Sequence, residues 1–105
     1  MLTICKADGW RVTLVFLWLP SPEDAIDRVA RRVRQRGHNI SSDVIVRRYW
    51  AGLSNMRRMY LPLADAAAIY DNADGKGMLI AERSKNSSLI IHDADRWAKI
   101  EGAGP

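Results

Sequence analysis

The sequence predicts an α/β domain: a short sheet with a parallel strand in its core, two long helices and a C-terminal hairpin. The leading observation is Val12 to Leu19, an apolar run rich in β-branched and aromatic residues and stopped by Pro20. Such a run reads as a strand buried on both faces, the habit of parallel sheets covered by helices. The second is the helix start that follows at once, Ser21-Pro22 with Asp24, which joins strand to helix through a very short loop. The third is a pair of apolar runs, Met78 to Ala81 and Leu89 to Ile91, joined by the polar loop Arg83 to Ser88. These read as two further strands forming a hairpin.

In chain order, Met1 to Trp10 is short and mixed, a candidate helix remnant with the turn Asp8-Gly9 leading into the strand, and residues 1–9 are expected to be loose. The first helix has Ser21 as N-cap, Pro22 at the first helical position and Asp24 three residues after the cap, and it stops at Gly37 in the C′ position. Ile26, Val29, Ala30 and Val33 recur at helical spacing, so one stripe packs on the sheet and the opposite side is basic. Arg36 to Ser41 is a compact polar loop. Ser41 or Ser42 then caps a second helix, with Asp43 in its first turn. The recurrence of Ile45, Tyr49, Leu53, Met56 and Tyr60 carries that helix from about Ser42 to Tyr60, and Pro62 kinks or ends it. Ala64 to Ala68 is a short helical piece or the approach to a strand, and Ile69-Tyr70 is a strand end running into the turn Ala73 to Gly77. Asp93 or Asp95 starts a last helix through Trp97 and Ile100, and residues 102–105 form a loose tail. No repeat or linker divides the 105 residues, so one domain is expected.

Hydrophobic residues at 48% suffice for a modest core. A single cysteine, Cys5, excludes an internal disulfide framework, and no Cys/His cluster has metal-ligand spacing. A reducing cytoplasm fits. No segment approaches the roughly 20 apolar residues of a membrane span. The net charge of +4 favours anionic partners.

The blocks TLVFLWLPSPEDAIDRVARRVRQRGHNI, VRRYWAGLSNMRRMYLPLAD, IYDN and LIAE, in that order, resemble the C-terminal half of the zeta-toxin-like P-loop kinases over roughly Lys6 to Glu82. The resemblance implies part of a P-loop-kinase-like α/β fold, whose complete form uses ATP and Mg²⁺ to phosphorylate an acceptor, a UDP-sugar in the characterised toxins. It also implies that the Walker A loop and catalytic aspartate belong to an N-terminal half. The sequence itself contains no G-x-x-x-x-G-K-[ST], the turn whose N–H groups, lysine and hydroxyl hold phosphates and metal. Gly75-Lys76-Gly77 precedes a strand and reads as a turn. No catalytic residue, metal site or cofactor is therefore assigned to this chain, and alone it is not expected to work as a kinase.

The remaining chemistry lies in arginines. Asp24, Arg28, Arg32 and Arg36 are spaced by four, so Asp24 is expected to pair with Arg28, and Asp27 with Arg31, leaving Arg32 and Arg36 without an acid in sequence reach. Arg47 and Arg48 sit early on the second helix. A guanidinium holds phosphate bidentately, so Arg32, Arg36, Arg47 and Arg48 are the candidate phosphate ligands. The resemblance points to the same lid-like region, at Arg32 and either Arg47 or Arg48. His38 is a candidate loop contact, though a hydrogen-bonded loop histidine is the plainer role. Asp65 and Asp71 match acidic positions of the family pattern, with capping and turn roles preferred. Trp18, Tyr49, Trp50 and Tyr60 are read as core rather than as base-stacking platforms.

Two functions follow as expectations: a kinase C-terminal fragment contacting nucleotide phosphates, or a small basic module binding a polyanion or nucleic acid. The expected partners are anionic ligands, no membrane, and either a missing N-terminal P-loop half or a second copy. Without that half, Val12 to Leu19 would be an open sheet edge and Phe16 and Trp18 an apolar patch, both covered by a homodimer.

Overall fold

A computed structural model describes residues 2–8, 11–36, 40–73, 75–84 and 87–102, with side chains described from Arg11 onward except at residues 33–36. The order of elements is β1 (Leu2–Asp8), β2 (Arg11–Trp18), α1 (Pro22–Arg36), α2 (Ser42–Asn55), a π-helical turn (Met56–Tyr60), the helical turn α3 (Leu61–Leu63), β3 (Ala66–Asp71), β4 (Met78–Arg83), β5 (Ile90–Ile91) and α4 (Ala94–Glu101). The five strands lie side by side in sequence order. β2 and β3 are parallel, with Thr13 opposite Ala66 and Trp18 opposite Asp71, while β1–β2, β3–β4 and β4–β5 are antiparallel. The architecture is thus α/β, with a parallel core pair, two long helices and a C-terminal hairpin.

Residues 2–8 correct the expectation of a loose segment or helix remnant. They pair with β2 along its whole length, from Leu2 opposite Leu17 to Asp8 opposite Arg11. The β2 edge that sequence reasoning left open is therefore occupied by the chain's own N-terminal strand. Phe16 and Trp18 are 0% and 2% exposed, so the inferred apolar patch is core. The edge is closed by a hairpin that a short, mixed sequence does not announce, and Phe16 and Trp18 are buried in the core that α2 and α4 share with the sheet.

β2 is also not buried equally on its two faces. Leu14, Phe16 and Trp18 are buried, while Thr13 is exposed and Val15 and Leu17 are half-buried. Across the parallel ladder Ala67, Ile69 and Asp71 continue the buried face. These side chains form one core with Ile45, Tyr49, Leu53 and Met56 of the second helix and its continuation, and with Trp97 and Ile100 of α4. Asp65 fastens the start of the parallel pair: its N–H donates to the Val12 carbonyl at 2.8 Å, and its carboxylate accepts from the Val12 N–H at 2.7 Å. At the other end the Asn72 N–H donates to the Trp18 carbonyl at 2.8 Å.

The α1 start matches its sequence signal. The Asp24 N–H donates to Ser21 Oγ at 3.3 Å and the Ser21 hydroxyl donates back to Asp24 at 3.1 Å, satisfying one of the orphan donors of the first turn. Its buried stripe is shifted, with Ala25 buried, Ile26 and Val29 half-buried and Ala30 exposed. Ser41 is the N-cap of α2 by backbone conformation, without a side-chain cap bond. Past Asn55 the helix widens into the π turn, and the Leu61 N–H reaches back five residues to the Met56 carbonyl. Pro62 has no N–H and its ring crowds the carbonyl four residues earlier. Wider pairing just ahead of it lets the chain stay helical to Leu63 before Ala64 becomes extended. Gly75 and Gly77 take φ values of 78° and 77° in the β3–β4 connection, the left-handed region open to glycine. Gly75-Lys76-Gly77 is a turn, as its position before a strand implied.

Candidate functional site

A groove of about 460 Å³ lies between α1 and α2, at the carboxyl ends of the parallel strands. Sheets of this kind place ligands outside the carboxyl ends of their parallel strands. Each helix gives it one face. Ala25, Arg28, Val29 and Arg32 stand at i, i+3, i+4 and i+7 of α1, and Ile45, Arg48, Tyr49 and Gly52 repeat that spacing on α2. Leu17, Ile40 and Asn72 complete the wall. Among the described residues the lining has three arginines and no carboxylate.

The arginines differ in how they are held. Arg28 is half-buried and donates through Nη2 to the Asn72 carbonyl at 2.7 Å, tying α1 to the end of β3. It does not pair with Asp24, whose carboxylate takes the Ser21 hydroxyl; among the described residues no ion pair joins Asp27 to Arg31 either. Arg32 and Arg48 are exposed on the two walls. Their charges cannot be neutralised by their own helices, and Arg28 and Arg32, four apart, repel by a few tenths of a kcal/mol. An anion between the walls meets guanidinium groups from two elements at once.

Of the sequence-predicted ligands, then, Arg32 and Arg48 are brought together. Arg48 lines the groove, whereas Arg47 is exposed and is not among its described lining residues. The Arg36 side chain and His38 lie outside the described residues. Three participants were missed: Arg28, assigned to Asp24; Asn72, whose carbonyl holds it; and Gly52. The signal for Gly52 was present, because seven residues after Ile45 it falls on the groove face, where a side chain would fill the space.

Tyr49 forms the inner wall. It is 4% exposed, its hydroxyl donates to the Leu19 carbonyl at 2.6 Å, and its ring meets Trp50 edge-on at 4.9 Å between centroids. Burial, above all, pushes its hydroxyl up to about 12. Trp18 and Tyr49 are core, while Trp50 and Tyr60 are half-buried against it. Asp65 and Asp71 have structural roles as expected. Asp71, 6% exposed, accepts from the Ala73 N–H at 2.9 Å and pairs with Arg96 Nε at 2.6 Å; Arg96 also pairs with Asp93 at 2.5 Å. The backbone N–H and guanidinium of Arg96 hold the Asp93 carboxyl below its ordinary value, and Asp71, then Asp93, raise the Arg96 guanidinium.

Among the described residues no group of three or more His, Cys, Asp or Glu side chains could hold a metal ion, and no helix is long and apolar enough to cross a membrane. Comparison with protein-family models, with curated proteins and with solved structures finds no match.

Proposed function

We propose that this chain is a phosphate-binding α/β module, in which Arg32 and Arg48, steadied by Arg28, hold an anion between α1 and α2. The observation that carries it is the groove at the carboxyl ends of the parallel strands, whose described lining has three arginines and no carboxylate. Charge-assisted, bidentate contacts are what guanidinium groups supply to phosphate. The resemblance to the C-terminal half of zeta-toxin-like P-loop kinases supports the same region, since it points to Arg32 and to one of Arg47 and Arg48. In this reading the module contributes phosphate contacts, while ATP, Mg²⁺ and the transfer chemistry belong to a P-loop-bearing half. The chain is expected to show no ATP hydrolysis of its own, because the Walker A turn and its lysine are absent from its sequence.

Titration with inorganic phosphate, followed by NMR of backbone and arginine Nε resonances, tests this. Shifts should gather at Arg28, Arg32, Arg48 and Gly52 and spare Arg47. Shifts centred on Lys76 or Lys99 would overturn it. A polyanion-binding surface would instead involve Arg47, Arg57 and Arg58 together and weaken steeply with salt; Arg57, however, already donates to the Glu101 carbonyl at 2.6 Å.

A further inference from the structure

We infer that the groove takes a phosphomonoester whose organic part is apolar, in preference to free phosphate or a nucleotide. This rests on the phosphate reading above and goes further by asking what fills the rest of the space. At about 460 Å³ the groove lies within the range of small-molecule sites and would hold on the order of 15 waters at liquid density. A phosphate ion engaging Arg32 and Arg48 leaves most of it vacant.

The remaining wall is aliphatic: Leu17, Ala25, Val29, Ile40 and Ile45. Ile40 is 39% exposed, and it lines the groove without belonging to the core cluster. The other polar side chains on the lining are Tyr49, whose hydroxyl already donates to the Leu19 carbonyl, and Asn72. A nucleotide placed here would bring base edges and ribose hydroxyls against a wall with few partners for them, and buried polar groups without partners are unfavourable. An aromatic or aliphatic group meets no such penalty and lies within reach of the guanidinium planes. Gly52 is the third support. Glycine inside a helix is unfavourable relative to alanine, yet here one lines the groove on α2.

The test uses the intact chain and four probes in calorimetric titration: inorganic phosphate, 1-naphthyl phosphate, AMP and 1-naphthol. Naphthyl phosphate should bind at least tenfold more tightly than phosphate and more tightly than AMP, and naphthol should not bind detectably. Ile40→Ser, at an exposed position, should pull the naphthyl phosphate to phosphate ratio toward one. Arg32→Gln should weaken both phosphate probes together. Equal affinity for phosphate and naphthyl phosphate, tighter binding of AMP, or an unchanged ratio in Ile40→Ser overturns this inference and leaves a plain phosphate site standing. Failure of both phosphate and naphthyl phosphate to bind overturns the phosphate reading as well.

Discussion

Two arginine-bearing regions flank the carboxyl end of β3, and they use the same side chain in opposite ways. On one side Arg96 is enclosed by Asp71 and Asp93, with both carboxylates at 2.6 Å or less. On the other side Arg28 holds a main-chain carbonyl, and Arg32 and Arg48 line a groove with no acid among its described residues. Residues 71 and 72 are adjacent, yet one belongs to a closed ionic cluster and the other to an open cationic one. Where charge is already matched, an arginine is an architectural tie. Where no described acid shares its groove, as for Arg32 and Arg48, it stays exposed.

The contrast is broken most severely at Arg96. Arg96→Ala leaves the buried Asp71 carboxylate with the Ala73 N–H in place of its guanidinium partner, and an unpaired buried carboxylate is destabilising. Chemical denaturation should show this loss, whereas Arg32→Gln and Arg48→Gln should stay within about 0.5 kcal/mol of the parent. A tolerant Arg96→Ala would mean that the cluster is not the tie described.

Next in size is Tyr49→Phe, which strips the Leu19 carbonyl of its side-chain donor in the core and should lower stability by about 1 kcal/mol. The pH dependence has a defined sign. Because the folded state raises this hydroxyl from 10.0 to about 12, its contribution is complete below pH 10 and is lost as pH rises toward 12. Alkaline unfolding monitored by circular dichroism should therefore lose part of its steepness in the Phe variant.

The acid limb belongs to Asp93. Its folded value lies below 3.8, so the stability it contributes is present above that pH and disappears as pH falls through the folded value. Asp93→Asn should lessen the dependence of melting temperature on pH below about 4, and an unchanged profile would exclude Asp93 as its source. The smallest expected change in stability is at Gly52→Ala, a gain of up to about 1 kcal/mol from helix propensity offset by contacts in the groove. Its sharper effect should be on ligand affinity. A variant that gains stability and keeps naphthyl phosphate binding would show that the groove does not need the space.

How far all this could be read from sequence varies with the range of the interactions. The α1 start was legible because Ser21, Pro22 and Asp24 act on each other within one turn, and so was the α4 cap at Asp93, which accepts from the Arg96 N–H at 3.0 Å. The π turn was not, since Ile45, Tyr49, Leu53 and Met56 repeat as they would in an unbroken α-helix. Arg28 was misassigned for a related reason. Its four-residue spacing from Asp24 is visible, while the Asn72 carbonyl, 44 residues away in sequence, is brought to it only by the fold. Choosing Arg48 over Arg47 needed no fold, only the observation that 45, 48, 49 and 52 share a face.

The β1–β2 hairpin also sets an order in time. Its two strands are joined by a two-residue link, whereas Val12 must wait for Asp65, 53 residues later, before the parallel pair can be fastened. Hairpins close in about 1–10 μs, and distant strand pairing is slower because a long loop must be ordered first. During that interval β2, the longest described strand, already has one flank occupied by its own neighbour, which lowers its chance of pairing with another chain. Ile4→Pro, which removes a ladder donor from β1, should accordingly show its first symptom as concentration-dependent loss of refolding yield, and dilution should restore that yield.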